Sequence, residues 1–250
     1  MGAKTRNRFL YILYQPYKWL FFMPLFLIGT CVFVFLGVII AFLTNDRIAH
    51  KTTGVWWSRF SAIFTPIAVD VTGKENIDRN RSYMVVANHQ SNYDILVLYG
   101  WLGIDIKWVM KMELRKVPVF GFAGEVGGNI YIDRSSPEAL KDTLETTKRK
   151  LVKGTSIVML PEGTRSRNGE IGMFKRGAFV ISRELDLPIL PITICNSREI
   201  LPPGTLDLYP GRITMKIHEP VDISKFPGND MGPLIEHVRS VIKKGLEDSK

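Results

Sequence analysis

Hydrophobic and polar positions follow two regimes that change at about residue 60. Before that point apolar residues run almost without interruption. Leu20 to Leu43 carries no charge, and Phe9 to Phe22 ahead of it is rich in aromatics and leucine. After it, short apolar runs alternate with stretches in which apolar residues recur every three or four positions. The short runs predict strands near 67–71, 83–88, 106–110, 129–132, 156–160, 189–195 and 212–217. The periodic stretches predict helices over 92–102, 136–153, 174–186 and 231–246. Strands alternating with helices predict an α/β fold, a layered domain around a mixed, largely parallel sheet. Residues 1–60 are expected to form a membrane-embedded helical segment ahead of an α/β domain over 61–250.

The uncharged stretch would reach about 36 Å as one helix, enough to cross a bilayer. It is too long, and lacks a small-residue cleavage site, for an ordinary secretory signal peptide. Pro24 and Gly29 interrupt it near its start. They predict two short helices, roughly 5–23 and 27–45, folded into one leaflet. Val55, Trp56, Trp57, Phe60 and Phe64 would continue along the interface.

Charge changes the picture at this point. Residues 1–60 hold seven Lys or Arg and one acid, Asp46, so +6 of the net +9 flanks the apolar segment. The other 190 residues carry 26 basic and 23 acidic side chains. A nucleic-acid surface would put the excess on the folded domain, whereas this distribution suits anionic lipid headgroups. Cys31 falls in the apolar segment and Cys195 in a predicted strand, which suits neither a disulfide framework nor a metal site.

Candidate chemistry begins directly after the strand Met84-Val85-Val86-Ala87. The stretch Asn88-His89-Gln90-Ser91-Asn92-Tyr93-Asp94 sets a histidine and an aspartate five positions apart on a strand-to-helix turn. On a continuous helix that spacing would separate them, but across a turn Asp94 can fold back to orient the imidazole. A second reading fits the same residues, because Ser91-x-x-Asp94 has the spacing of a capping box. Further on, Gly127-Gly128-Asn129-Ile130-Tyr131-Ile132-Asp133-Arg134 ends a strand in an acid–base pair, after the cationic stretch Lys107–Lys111. Pro161-Glu162-Gly163-Thr164-Arg165-Ser166 follows another strand, and its hydroxyls and guanidinium suit an oxyanion. An ordinary charged turn would read the same way. The sequence has no G-x-G-x-x-G, no P-loop, no G-x-S-x-G elbow and no H-E-x-x-H, and His50, His218 and His237 are scattered singly.

Those three blocks, followed in order by Leu190-Pro191-Ile192, resemble the glycerolipid acyltransferases, above all the 1-acylglycerol-3-phosphate acyltransferases. The resemblance covers about residues 60–220. It implies that His89 is the general base and that Asp94 orients and charges it. It implies that Arg134 and the block containing Glu162, Gly163, Thr164 and Arg165 bind the acceptor's phosphate. Lys111 joins this set, with Lys175 and Arg167 as further candidates. The implied reaction moves an acyl group from acyl-CoA or acyl carrier protein to the sn-2 hydroxyl of lysophosphatidic acid, giving phosphatidic acid. It needs no cofactor, no metal and no covalent acyl-enzyme. The implied setting is the cytoplasmic (inner) membrane, with the site facing the cytoplasm, where the thioester donors are. Backbone amides around Gln90–Asn92 or at Gly163 are the expected oxyanion donors. A hydrolase using His89 to activate water, and a non-catalytic lipid-binding protein, remain open as other readings.

Overall fold

The computed structural model describes residues 8–117, 120–132, 136–151 and 154–249. Seven strands appear where the apolar runs predicted them. They are β1 Ile67–Thr72, β2 Met84–Ala87, β3 Asp105–Lys111, β4 Ile130–Ile132, β5 Thr155–Met159, β6 Ile189–Cys195 and β7 Gly211–Ile217. They form one sheet in the order β1-β7-β6-β2-β5-β3-β4. All neighbours are parallel except β6 and β7, so the β1–β7 pair runs against the other five.

Helices α1 Arg8–Tyr17, α2 Met23–Leu43 and α3 Asp46–Phe64 precede the sheet. Within it come α4 Tyr93–Trp101, α5 Phe120–Val126, α6 Pro137–Lys150, α7 Gly177–Glu184, the short α8 Ser197–Ile200 and the closing α9 Gly232–Glu247.

The pleat sorts the core into two layers, because successive strand residues face opposite sides. Val85 and Ala87 of β2 pack with Leu96, Val97 and Leu98 of α4. Met84 and Val86 pack on the other side with Ala178, Phe179 and Ile181 of α7 and with Leu234, Val238 and Ile242 of α9. The helices leaving the adjacent strands β2 and β5 therefore go to opposite faces. That opens a crevice beyond the carboxyl ends of these two strands, the usual place for a site in an open parallel sheet.

The amino-terminal region departs from the predicted break at Pro24 and Gly29. Helix continues from α1 to α2 through a π-turn at Lys18–Phe22, giving a rod about 54 Å long. In this turn the Met23 N–H reaches the carbonyl of Lys18, five residues back. The looser ladder lies directly ahead of Pro24, whose ring lacks an N–H and would otherwise crowd the preceding turn. Gly29 is a contact and not a break, since a Cβ there would lie 2.7 Å from the Phe60 ring. The real break is at Thr44–Asn45, where the Asn45 side chain accepts the Ile48 N–H at 2.9 Å and starts α3. The stretch read as an interfacial continuation is thus a helix antiparallel to α2 and seated on α4. Arg59 Nε donates to the Gly100 carbonyl at 3.2 Å, and Tyr99 packs against Gly54.

At the far end of β7 the fold carries a titratable clamp. His218 Nε2 lies 2.8 Å from Thr193 Oγ1, which donates to the Ile242 carbonyl of α9 at 3.0 Å. Burial, with Lys216 nearby, pulls the imidazole pKa from 6.5 down to about 4. The folded state therefore favours neutral His218. Its stabilising contribution is complete above pH 6.5 and is lost as pH falls towards 4. Urea midpoints measured across this window should fall with pH in the native protein, and the fall should be shallower in His218→Gln.

Candidate active site

The crevice beyond β2 and β5 gathers the two blocks that are far apart in sequence. Asn88 anchors its near edge. The side-chain amide donates to the Ile194 carbonyl and accepts the Ile194 N–H, both at 2.8 Å, tying the end of β2 to β6. His89 follows, held by its backbone from the β5–α7 loop. Its N–H donates to Glu162 Oε1 at 2.7 Å, and its carbonyl accepts the Ser166 N–H at 2.8 Å.

The imidazole is turned towards α4. His89 Nδ1 lies 2.9 Å from Asp94 Oδ2, with the histidine side chain 14% exposed and the aspartate fully buried. The same oxygen accepts the N–H groups of Gln90 at 2.7 Å and Ser91 at 2.8 Å. Both readings of the spacing are therefore realised at once: Asp94 caps the turn and grips the histidine. A carboxylate oxygen only accepts, so Nδ1 carries the proton and Nε2 keeps its lone pair.

His89 lines a cavity of about 580 Å³ that extends under the amino-terminal helices. Its walls include Phe33 and Val34 of α2, Trp57 of α3, Tyr99 of α4, Trp108 of β3 and Leu160. His50, Trp57 and Tyr99 had no local signal as cavity residues. They come together only because α3 lies on α4 and β3.

At the histidine end the wall carries one cation, Lys175. Gly163 has a left-handed backbone at φ +69, and a Cβ there would lie 2.7 Å from Lys175 Nζ. Glycine is needed twice, for the turn and for the passage of the ammonium. Lys175 lines the cavity with Gly163 and His89, Thr164 is exposed, and Arg165 is half-buried. Neither Arg165 nor Lys175 has a side-chain hydrogen bond among the described residues.

Residues 68–195 match the family model described as Acyltransferase. The chain is 33% identical over 197 residues to a 1-acyl-sn-glycerol-3-phosphate acyltransferase of Pseudomonas aeruginosa, covering 77% of this chain and 74% of that one. This chain belongs to the 1-acylglycerol-3-phosphate acyltransferase family. A chloroplastic relative from Brassica napus is 34% identical over 178 residues, 70% of this chain, and the match spans only about half (51%) of that protein. The crystal structure of the 1-acyl-sn-glycerophosphate (LPA) acyltransferase PlsC of Thermotoga maritima superposes with a TM-score of 0.71 at 30% identity. That match covers 89% of this chain and 95% of the other, so the fold is the PlsC fold.

Within this member of the family the expected phosphate-binding residues divide. Glu162 is buried, and both its oxygens are occupied, Oε1 by the His89 amide and Oε2 by the Gly172 amide at 2.9 Å. Burial raises its pKa, and the two amides oppose that rise. It is placed to hold the histidine from below. Lys111 ends β3, two strands from β2, so its backbone lies about 10 Å to the side. Arg134 lies outside the described residues. Of the expected oxyanion amides around Gln90–Asn92 and at Gly163, those of Gln90 and Ser91 are donated to Asp94 and that of Gly163 to the Leu160 carbonyl, which leaves the Asn92 amide.

Glu162→Gln should lower thermal stability, because an amide offers one acceptor where two backbone N–H groups converge. The expected cost is about 2 kcal/mol, a fall of several degrees in a melting curve. Turnover should fall with it as His89 loses its backbone anchor.

Proposed function

We propose that this enzyme transfers the acyl group of a soluble thioester, acyl-CoA or acyl carrier protein, to the sn-2 hydroxyl of 1-acylglycerol-3-phosphate, giving phosphatidic acid. The observation that carries this reading is the His89–Asp94 pair, whose imidazole lines an apolar cavity together with the Lys175 ammonium, with Arg165 two residues after Gly163 in the same loop. The acceptor's phosphate lies against Arg165, with Lys175 beside it, which sets the neighbouring hydroxyl at His89. Nε2 takes the hydroxyl proton as the oxygen attacks the thioester carbonyl. The tetrahedral oxyanion then collapses, the C–S bond breaks, and the imidazolium returns its proton to the thiolate. Asp94 stabilises the imidazolium meanwhile. With the Gln90, Ser91 and Gly163 amides engaged, the Lys175 ammonium and the Asn92 amide are the donors left for the oxyanion, and an acyl chain occupies the apolar cavity.

The Ile12–Leu43 helix is long and apolar enough to cross a membrane. Its contacts support an in-plane position within one leaflet of the cytoplasmic membrane. Gly29 meets Phe60 and Gly37 meets Thr53, so α2 lies along α3, which carries Arg47, Lys51 and Arg59 and is fixed to α4. A crossing by α2 would pull that charged helix and the domain into hydrocarbon. The cytoplasmic side is the one that holds the thioester donors.

The test is acyl transfer by the purified protein in vesicles, with one acyl thioester and lysophosphatidic acid, glycerol-3-phosphate or water as acceptor. Ester formation on lysophosphatidic acid alone is expected. Transfer to glycerol-3-phosphate would change the substrate, and thioester consumption with water alone would make the protein a hydrolase. Arg165→Ala should raise the apparent KM for the acceptor about tenfold to a hundredfold and leave that of the donor nearly unchanged. Equal effects on both would make Arg165 a structural residue.

A further inference from the structure

We propose that the corner made by the 3-10 turn Met112–Lys116 and α5 is a second element inserted in the leaflet, beside α2. This rests on the reading of α2 as an in-plane membrane helix. The corner exposes large apolar side chains: Val117 is 44% exposed and Phe122 53%, and Leu114, which also lines the cavity, 37%. It presents them from a closely folded support. A Cβ on Gly121 would lie 2.0 Å from the Arg115 carbonyl oxygen, and the Tyr131 hydroxyl donates to the Gly121 carbonyl at 2.9 Å. Arg115 pairs with Glu125 and lies 6.0 Å from the centre of the Tyr131 ring, which fixes the corner to β4.

The corner continues the apolar surface of α2. Helices α2 and α5 are in contact, and Leu114 lines the same cavity as Phe33, Val34 and Gly37. The two elements are thus the walls of one space, and α2 exposes Phe35 and Phe42 at 65% and 89%. Apolar surface of this extent, rimmed by polar groups, marks a contact surface, and an interfacial segment gains by placing it among acyl chains. Exposed Glu113 and Lys116 offset each other, and Arg115 is taken by Glu125, so the apolar side chains drive the insertion and not charge. The occupant is phospholipid hydrocarbon.

An environment-sensitive fluorophore at position 122 tests this. Phe122→Cys is labelled in a full-length background in which Cys31 and Cys195 are replaced by serine. Phe35→Cys on α2 and Lys243→Cys on α9, over the other face of the sheet, serve as companions. Each is reconstituted in phosphatidylcholine–phosphatidylglycerol vesicles and exposed to chain-brominated lipids or to aqueous iodide. Position 122 should be quenched by brominated chains several times more than position 243, and to an extent comparable with position 35. Iodide quenching at 122 equal to that at 243, with position 35 still quenched by lipid, overturns the second element and leaves the α2 reading standing. Failure of brominated chains to quench either 35 or 122 removes both. Protection of 122 from both quenchers means protein covers the corner, and that also overturns the proposal. Val117→Cys, labelled in the same way, repeats the measurement should the 122 variant fold poorly.

Discussion

His89→Ala is expected to reduce kcat for acyl transfer by a factor of roughly 10²–10⁴, the usual contribution of a positioned base. The acceptor's KM should change little, because the cations proposed to hold its phosphate are on other residues. The fold should survive. What His89 gives to the structure passes mainly through its backbone, whose N–H and carbonyl are held by Glu162 and Ser166 whatever the side chain. Asp94 would keep the Gln90 and Ser91 amides as donors. Steady-state rates at saturating donor, with circular dichroism and vesicle binding as controls, separate lost chemistry from lost structure. A kcat within about threefold of the native value would remove the imidazole from the mechanism.

Asp94→Asn is the next largest effect and the more discriminating one. Asparagine can turn its carbonyl oxygen to the place of Oδ2 and still accept the two backbone amides, so the cap is largely kept. What it loses is charge opposite the imidazolium. If the amide nitrogen faces the ring instead, the proton moves to Nε2 and the base is blocked. Either way kcat should fall by about 10²–10⁴ with a small change in melting temperature. Asp94→Ala should lose comparable activity and also about 2–5 kcal/mol of stability, since two buried N–H groups are left without an acceptor. If Asp94 were only a cap, Asp94→Asn would keep its rate. The pair of variants therefore separates the cap from the proposed support of the imidazolium.

Much of the scaffold was legible from local pattern. The central strands Met84–Ala87 and Ile189–Cys195 lie under apolar runs because a strand buried on both faces is largely apolar, whereas the outer β1 alternates with exposure. The histidine and aspartate were legible as a pair for a similar reason, since five positions across a turn are one local geometry. The amino-terminal helices were misread because Pro24 is a breaker only where the ladder ahead of it is regular. The π-turn at Lys18–Phe22 is a property of the folded helix that composition does not announce. The placement of Glu162 was not legible, because a carboxylate in a loop carries no mark of its direction; the structure buries it beneath His89, bonded to two backbone amides.

By itself the sequence determined the alternation of strands and helices, the uncharged amino-terminal stretch and the chemistry of each short block, all of which depend on neighbours within a turn or two. Tertiary structure alone decided that β2 and β5 lie side by side, which brings Glu162 under His89 from 73 positions away. It also decided that α3 closes a cavity over the same histidine. Strand order and helix docking are set by long-range burial, where many apolar surfaces of similar composition compete. Only their simultaneous packing selects one arrangement.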